Sequence, residues 1–419
     1  MTEISQKMLT LGQKAKEASK VLAHASAKEK NQALHAMADA LIDQQDKIIA
    51  ANIKDQEIAR DNGLEEHMIE RLTLNEDRVG GMADGIRQIA AFSDPVAKTD
   101  DEWVIENGLR ISKRRVPLGV IGIIYESRPN VTADASALCL KSGNATILRG
   151  GKEALNSNLA IEKALKDGLT KSDIPSEAVQ VIPDSDRKYS NELMRMNEYL
   201  DCLIPRGSHG LIQAVVQNAN VPVIQTGDGN DHLYIEKSAD LDMAKNILIN
   251  AKTQRPSTCN TIETLVIDEE FAGLHLAEIL QPLKDLKVEL RGDKKAQTLD
   301  SDIQAATEED WSEEYLALIL AVKVVSSYEE AVEHINTYTT NHSEAIVTSN
   351  YKVAQDFMND IDASSVYVNA STRFTDGEVF GFGGEIGIST QKLHARGPMG
   401  VDALTSYKYT IQGNGQIRE

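Results

Sequence analysis

The segment Val120–Glu126, with the sequence VIGIIYE, decides the fold class because it is a short apolar run rich in β-branched residues. Such a run is typical of a strand that is buried on both faces of a parallel sheet. Similar runs follow, separated by helical patterns, at Ala145–Leu148, Val179–Ile182, Asp201–Ile204 and Val221–Ile224. Strands that alternate with helices indicate βαβ crossovers, which predicts an α/β fold with a doubly wound parallel sheet. Sheets of this kind bind ligands beyond the carboxyl ends of their strands.

Helical patterns precede this segment, and a second α/β series follows it. In the first hundred residues, Ser26 with Glu29 and Thr73 with Glu76 have the spacing of capping boxes, which predicts a helix N-terminus after each pair. The predicted strands of the second series are Thr264–Ile267, Ala317–Val325, Ala345–Thr348 and Ser365–Asn369. Its predicted helices lie at about 240–252, 270–284, 328–338 and 351–360.

Two extended segments belong to neither series. Residues 103–116 contain Asn107-Gly108 between β-like arms, which is a hairpin signal, and Ser406–Gln412 is a further extended segment near the C-terminus. A hairpin and a terminal strand of this kind suggest strand exchange in an oligomer. A covered edge hairpin is the alternative that the sequence leaves open.

The composition restricts the class of protein. The chain has 419 residues, with 64 Asp and Glu against 44 Lys and Arg, so its formal net charge is −20. The length predicts two or three domains, and 41% hydrophobic residues are enough for a sizeable core. So acidic a chain repels nucleic acid and anionic membranes, and neither is expected as a partner.

Cysteine content and apolar runs indicate the compartment. Cys139, Cys202 and Cys259 are few and scattered, which argues against a disulfide framework and fits a reducing cytoplasm. The N-terminal sequence predicts no secretory signal, and every apolar run is shorter than the roughly 18 residues of a membrane span.

Cys259 is the candidate nucleophile because it lies in a polar loop, Gln254–Asn260, between a predicted helix and a predicted strand. Lys252 and Arg255 are nearby cations that favour the reactive thiolate. A cysteine without catalytic function remains the alternative on this evidence. Cys139 and Cys202 lie in apolar stretches, where packing is the better interpretation.

Two strand ends suggest a nucleotide site. Gly207-Ser208 follows a predicted strand and opens a helix, where backbone amides can bind a phosphate. Arg149 and Lys152 follow another strand and suit the 2′-phosphate of NADP, although a solvated strand end is the alternative for Lys152. His342 has no second His or Cys at ligand spacing, so we expect a hydrogen-bonding histidine and no metal.

Three segments together resemble a known family. They are Val116–Thr132 (VPLGVIGIIYESRPNVT), Ala251–Asn260 (AKTQRPSTCN) and Val325–Ile346, which contains His342-Ser343-Glu344. These segments are similar to the gamma-glutamyl phosphate reductases, also called glutamate-5-semialdehyde dehydrogenases, within the aldehyde dehydrogenase superfamily. Thr339-Thr340 departs from the family pattern, where Gly-Ser is expected.

The resemblance implies an aldehyde-dehydrogenase-like fold in three parts. A Rossmann-type dinucleotide-binding domain is expected from residues 1–100 and 117–231. An α/β domain that is mainly catalytic is expected from 232–402. A small β element for oligomerisation is expected from 101–116 and 403–419.

The resemblance also implies residue roles. Cys259 corresponds to the nucleophile, and Asn130 corresponds to the asparagine that stabilises the oxyanion together with the cysteine's own backbone amide. Arg149, Gly207 and Ser208 fall at cofactor-contacting positions. Glu314 matches the glutamate that binds the nicotinamide ribose, although the neighbouring Glu313 competes for that role. The candidates for binding the substrate phosphate and carboxylate are Arg128, Lys252, Arg255 and Arg373, without individual assignment.

The activity that the resemblance implies is the NADPH-dependent reduction of L-glutamyl 5-phosphate to L-glutamate 5-semialdehyde through a cysteine thioester. This is the second step of proline biosynthesis from glutamate. A cytoplasmic homo-oligomer is expected, and a transient contact with glutamate 5-kinase remains open. The alternatives are a hydrolytic or CoA-linked aldehyde dehydrogenase, or a non-catalytic nucleotide-binding protein of the same fold.

Overall fold

The computed structural model of the protein describes residues 4–126, 128–382 and 384–418, with the side chain of residue 67 left out. Its α-helices in chain order are α1 Gln6–Leu22, α2 Ala27–Asp43, α3 Gln45–Asp61, α4 Glu66–Leu72, α5 Glu76–Ala91, α6 Asn130–Lys141, α7 Leu155–Leu169, α8 Arg187–Leu193, α9 His209–Asn218, α10 Leu241–Thr253, α11 Glu269–Asp285, α12 Lys294–Leu299, α13 Tyr328–Tyr338 and α14 Tyr351–Asp360. Its strands are β1 Thr99–Val104, β2 Arg110–Pro117, β3 Val120–Tyr125, β4 Ala145–Arg149, β5 Val179–Val181, β6 Cys202–Arg206, β7 Asp231–Ile235, β8 Ile262–Asp268, β9 Glu289–Gly292, β10 Gln304–Ala305, β11 Ile319–Val325, β12 Ser343–Val347, β13 Ser365–Val368, β14 Ile388–Ser389, β15 Gly397–Pro398 and β16 Thr405–Gln412.

The chain divides into two compact units. The first runs from the N-terminus to Thr226 and includes Gly381–Gly387 and the segment from Met399 onward. The second contains Gly227–Phe380 and Ile388–Pro398. The boundary therefore precedes the expected division between residues 231 and 232, and residues 381–387 and 399–402 belong to the first unit, not to the one expected to be catalytic. The functions expected of the two units stay predictions.

The first unit is built on a four-stranded parallel sheet in the order β5-β4-β3-β6. All six residues of the central strand β3 are buried, as the continuous apolar run predicts. The capping box of Ser26 and Glu29 at the start of α2 is confirmed. This sheet confirms the first βαβ series.

The second unit contains a seven-stranded parallel sheet in the order β10-β9-β11-β8-β7-β12-β13. Successive side chains of its strands enter two different cores. Leu233 and Ile235 of β7 pack in the core that includes α10 and α11, whereas Tyr234 packs in the core that includes α13 and α14. Helices therefore cover both faces of the sheet, so the predicted doubly wound architecture is confirmed.

The hairpin and the C-terminal strand predicted outside the two series form one antiparallel sheet in the order β1-β2-β16. Strand β16 pairs with β2 from Thr405 opposite Pro117 to Gln412 opposite Arg110. The hairpin and the C-terminal strand therefore pair with each other within one chain. Their role in oligomerisation stays a prediction.

Two local predictions are wrong and one strand was not predicted, each for an identifiable reason. Helix α5 begins after Asn75, whose side chain accepts a hydrogen bond from the Arg78 amide, so Thr73 and Glu76 do not form the cap. Val221–Ile224 forms only an isolated bridge between Val223 and Leu203, since Pro222 has no N–H to donate to a ladder. Strand β7 was not predicted because it begins with Asp231 and His232, both of which are fully buried.

Within the described residues, no helix combines the length and the apolar character needed to cross a membrane.

Candidate active site

Cys259 lies in the second unit, in the loop that joins α10 to β8, and its side chain is half-buried. The loop is closed by hydrogen bonds from Thr258 Oγ1 and Thr261 Oγ1 to the Arg255 carbonyl, at 2.9 and 2.8 Å. Asn260 Nδ2 donates to the Thr375 carbonyl at 2.9 Å, which fixes the loop to a second segment. The thiol is thus accessible on a backbone that is held in place.

The backbone of Gly229 packs directly against the backbone of Cys259. A Cβ atom at residue 229 would lie 1.5 Å from the carbonyl oxygen of Cys259 and 2.8 Å from its Cα. Only glycine allows this approach, since real Cβ contacts essentially never fall below 3.0 Å. Gly229 therefore determines where the cysteine backbone lies.

Glu314 contacts the same segment, because its Oε1 accepts a hydrogen bond from the Gly229 amide at 2.8 Å. The neighbouring Glu313 is exposed. Of the two carboxylates that competed at this position, Glu314 is thus the one held beside the Cys259 loop. Its role toward the nicotinamide ribose stays a prediction.

Lys252 does not belong with the expected substrate-binding cations. Its side chain is fully buried, and its Nζ donates to the Ile262 carbonyl at 3.0 Å and forms an ion pair with the fully buried Glu263. Burial lowers the pKa of Lys252 and raises the pKa of Glu263 to about 7, while their mutual attraction opposes both shifts. We therefore correct the assignment of Lys252, whose ammonium is not accessible to a substrate.

Arg255 and Arg373 are the expected cations that remain beside Cys259. Arg373 Nη1 donates to Thr258 Oγ1 at 2.7 Å, and its Nε donates to Gln254 Oε1 at 3.1 Å. Burial lowers the pKa of Arg373, the like charge of Arg255 lowers it further, and a charge on Cys259 raises it. Two neighbouring guanidinium groups that repel each other form a site for an anion.

The two other cysteines and His342, which were not expected to take part in catalysis, are all buried. Cys139 and Cys202 are buried, and burial raises the pKa of each thiol to about 12, so neither is a nucleophile at neutral pH. His342 is fully buried, with Nδ1 2.9 Å from Ser343 Oγ and 3.4 Å from Asp231 Oδ2. Among the described residues, no three His, Cys, Asp or Glu side chains are grouped as metal ligands.

Asn130 lies in the first unit and begins α6. Its Nδ2 donates to Asp134 Oδ2, one helical turn later, at 3.0 Å. Asn130, Arg128 and Asp134 line a cavity of about 50 Å³ in this unit. The amide expected to stabilise an oxyanion is therefore oriented by a carboxylate. Its catalytic role stays a prediction.

Ser208 is the N-cap residue of α9, as the predicted nucleotide site requires, but a carboxylate already contacts it. The backbone amide of Ser208 donates to Glu126 Oε2 at 2.9 Å, and its Oγ donates to Glu126 Oε1 at 2.8 Å. A Cβ atom at Gly207 would lie 2.6 Å from the same carboxylate. The N-terminus of α9 is therefore already bonded to the Glu126 carboxylate, and a phosphate bound there would replace that carboxylate.

Arg149 and Lys152 lie at and after the end of β4, as predicted, and Lys152 is exposed. The Arg149 guanidinium donates to the Gly150 and Ser185 carbonyls at 2.6 and 2.8 Å, and its buried Nε has no hydrogen-bond partner among the described residues. Burial lowers the pKa of Arg149, and the nearby charge of Glu153 raises it. A carboxylate, Glu153, therefore lies near the cations of the predicted NADP site.

The predicted residues thus fall into two groups. Cys259, Arg255, Arg373 and Glu314 lie in the second unit, whereas Asn130, Arg128, Arg149, Lys152, Gly207 and Ser208 lie in the first. Sequence analysis missed Gly229, Asp134, Glu126 and Glu153. Only Gly229 had a usable signal, since a Gly-x-Gly stretch before a strand suggests a close approach of backbone.

The chain matches the family model described as the aldehyde dehydrogenase family over residues 6–304 and 298–410. A gamma-glutamyl phosphate reductase of Clostridium botulinum (strain Alaska E43 / Type E3) is 54% identical over 411 residues, covering 98% of this chain and 99% of that protein. A gamma-glutamyl phosphate reductase of Moorella thermoacetica is also 54% identical, over 98% of each chain.

Solved structures agree with these matches. The crystal structure of a gamma-glutamyl phosphate reductase from Thermotoga maritima has a TM-score of 0.97 and 48% identity, covering 99% of this chain and 100% of that one. An acetylating aldehyde dehydrogenase from Geobacillus thermoglucosidasius has a TM-score of 0.70 at 18% identity, covering 99% and 98%, and shows a similar fold only.

We predict that Gly229→Ala lowers turnover by about 10²-fold, because the new Cβ displaces the Cys259 backbone by an ångström or more. Single-turnover and steady-state kinetics would measure the loss. The displaced loop should also lower the midpoint of thermal unfolding.

The matched control is Gly273→Ala in α11, where nothing lies within 4 Å of the added Cβ. That variant should keep full turnover and gain about 0.5–1 kcal/mol of stability from the helix. Wild-type turnover in Gly229→Ala would show that the close approach does not position the nucleophile.

Proposed function

The chain belongs to the aldehyde dehydrogenase family, and we propose that within it the protein reduces L-glutamyl 5-phosphate to L-glutamate 5-semialdehyde, a step of proline biosynthesis. The observation that carries the proposal is the half-buried Cys259 on a fixed loop with two neighbouring guanidinium groups, Arg255 and Arg373. The full-length relatives named gamma-glutamyl phosphate reductase support the choice of substrate. A cytoplasmic location and a homo-oligomeric state stay predictions.

The proposed mechanism is nucleophilic substitution at the acyl carbon. The Cys259 thiolate attacks C5 of the substrate. The bond between C5 and the oxygen that bridges to phosphorus then breaks, and phosphate leaves with the electron pair of that bond. The product is a thioester on Cys259. After its carbonyl carbon is reduced, the thiohemiacetal oxygen reforms a carbonyl, the C–S bond breaks and the thiolate is restored. Covalent capture divides one difficult step into two easier ones.

Arg255 and Arg373 supply the positive charge that an acyl phosphate needs in a chain of net charge −20. Arg373 is held by Thr258 and Gln254, so its planar guanidinium is already oriented. In this proposal both arginines bind the phosphate group and favour its departure. Asn130 is the proposed oxyanion donor, and Arg128 a proposed contact of the substrate.

The first unit has residues that fit a nicotinamide cofactor. The buried Nε of Arg149 has no partner among the described residues, and the Ser208 amide and hydroxyl already bind an anionic group. We propose that Arg149, Lys152, Gly207 and Ser208 hold NADP, and that Glu314 holds its nicotinamide ribose. The chemistry that the bound cofactor supplies is hydride transfer to the thioester carbon.

A hydrolytic aldehyde dehydrogenase is the second candidate, because two carboxylates lie near the Cys259 loop. Glu314 binds the Gly229 amide, and Asp228 directly precedes Gly229. Either one could activate water as a general base. The resemblance to the aldehyde dehydrogenases implies that their hydrolytic members carry a glutamate general base at about Gln225-Thr226, where this chain has no carboxylate, and this favours attack by phosphate over attack by water.

We predict that Cys259→Ser lowers kcat by at least about 10³-fold while cofactor binding and the unfolding midpoint stay unchanged, since serine does not readily form the anionic nucleophile. Absorbance of the reduced nicotinamide measures turnover. Cys139→Ala and Cys202→Ala are the controls. They should lower stability and leave turnover nearly intact, because both side chains are packed in cores. Near-normal turnover by Cys259→Ser would refute the mechanism.

We predict that the protein binds NADP about tenfold more tightly than NAD. Arg149→Ala should lower the ratio of the dissociation constant for NAD to that for NADP, and Glu153→Gln should raise this ratio. The reason is that the 2′-phosphate is attracted by Arg149 and repelled by Glu153. Fluorescence titration gives the dissociation constants, and added salt should reduce the ratio. Lys28→Ala, which removes an exposed cation of α2, is the control. Equal affinities in the wild type would overturn the NADP assignment.

We predict that oxidation of L-glutamate 5-semialdehyde requires phosphate, because water without a general base is slower by about 10²–10⁴-fold. The assay is NADPH formation with and without phosphate. Asp228→Asn and Glu314→Gln should leave the phosphate dependence intact. Steady turnover to glutamate in phosphate-free buffer would promote the hydrolytic candidate. If one of the two variants loses this phosphate-independent turnover, the residue replaced in it is the general base of hydrolysis.

A further inference from the structure

A small cavity in the first unit has polar groups that the proposed reaction leaves without a function. Its polar lining consists of Arg128, Asn130, Asp134, Arg206 and Glu385, and its volume is about 50 Å³. Three aliphatic side chains complete it. Arg128 and Asn130 were expected to take part in the reaction, whereas Asp134, Arg206 and Glu385 have no assigned role.

The charges of this lining are balanced. Arg128 and Arg206 carry positive charge, and Asp134 and Glu385 carry negative charge. A phosphate dianion would meet two carboxylates here, and a simple cation would meet two guanidinium groups. A group that carries an ammonium and a carboxylate on the same carbon complements both pairs.

The Asp134 carboxylate lacks full compensation of its charge. Burial raises the pKa of Asp134 to about 6, and the hydrogen bond from Asn130 and the charge of Arg206 only partly reverse this shift. A carboxylate in this state gains from a cation that donates to it. At neutral pH it is mostly ionised and ready to accept hydrogen bonds from an ammonium group.

Arg206 is the complementary group at the end of β6. Among the described residues, its guanidinium donates no hydrogen bond and forms no ion pair. Gly387, at φ +153°, makes room for it, because a Cβ at that position would lie 2.7 Å from Arg206 Nη1. A guanidinium with unused donors and a cleared approach suits a carboxylate ligand.

We propose that this cavity recognises the amino-acid head group of the substrate, with Asp134 accepting hydrogen bonds from the α-ammonium and Arg206 donating to the α-carboxylate. The proposal deepens the proposed function and rests on it for the identity of the rest of the substrate. Asn130 lines the same cavity, and in L-glutamyl 5-phosphate only three carbon–carbon bonds, about 4 Å, separate the reacting C5 from the α-carbon. One cavity can therefore serve the oxyanion donor and the head group.

The first test compares substrates with and without the ammonium group. We expect the wild type to oxidise L-glutamate 5-semialdehyde with a kcat/KM about 10- to 100-fold above that for 5-oxopentanoate, which lacks the ammonium. This comparison needs no variant, so it does not depend on the folding of a mutant. Equal kcat/KM for the two aldehydes would overturn the proposal.

Two variants assign the preference to residues. Asp134→Asn should lower kcat/KM for the amino substrate about 10- to 100-fold more than that for 5-oxopentanoate, because a change in the orientation of Asn130 affects both aldehydes alike whereas the ammonium contact exists in only one. Arg206→Gln should remove discrimination against 4-aminobutanal, which lacks the carboxylate. The control Asp173→Asn replaces an exposed carboxylate that follows α7 and should change nothing. Retained selectivity in folded Asp134→Asn and Arg206→Gln would refute the assignment.

A binding measurement separates this proposal from the proposed function. Calorimetry on the full chain should show tighter binding of L-glutamate than of glutarate by about tenfold, and Asp134→Asn should remove the difference. If no aldehyde is turned over but the preference for L-glutamate holds, the proposed reaction fails and the head-group site stands. If turnover is normal but glutarate binds as well as L-glutamate, the head-group site fails. Tighter phosphate binding by Asp134→Asn, with unchanged selectivity for the ammonium, would assign the cavity to phosphate and overturn the proposal.

Discussion

The contact between the backbones of Gly229 and Cys259 is the constraint on which the candidate active site depends. A nucleophile on a loop is useful only if its backbone is fixed, and here a neighbouring main chain fixes it at a distance that excludes any side chain. Glu314 accepts from the Gly229 amide, and Asn230 Nδ2 donates to the Trp311 and Tyr338 carbonyls. Each of these bonds joins a side chain to a main-chain group, so they fix the backbone of the segment that packs against Cys259.

Buried ion pairs and accessible cations have different functions in the second unit. The Lys252–Glu263 pair is fully buried. Glu263 Oε1 also accepts a hydrogen bond at 3.2 Å from the amide of Leu316, which is two residues after Glu314. Removing one partner of such a pair leaves an uncompensated buried charge, which typically costs about 3–5 kcal/mol. Lys252 is therefore a structural residue, although it lies seven positions before Cys259. Arg255 and Arg373 retain positive charge beside the thiol.

Carboxylates accompany cations and amide donors at several sites in the first unit. Glu126 contacts the N-terminus of α9, and Glu153 lies near Arg149. Asp134 accepts a hydrogen bond from Asn130 and is attracted by the charge of Arg206. In a chain of net charge −20, the binding that we propose at these sites would be an exchange in which a substrate or cofactor group replaces or complements an existing charge. Selectivity between charged ligands then depends on the balance at each site and not on the number of cations.

The sequence alone determined the fold class and the family, and it singled out Cys259 as the candidate nucleophile. Local patterns are sufficient for these, because a buried strand such as β3 needs a continuous apolar run and α2 needs a capping box. It also placed Cys259 in a loop and Arg149 at a strand end. The tertiary structure alone decided which charged groups are accessible: it buried Lys252 against Glu263, placed Asp231 and His232 inside a sheet, and brought Gly229 and Glu314 to the cysteine loop. The reason is that burial and charge pairing depend on residues distant in the chain, and no local pattern encodes them.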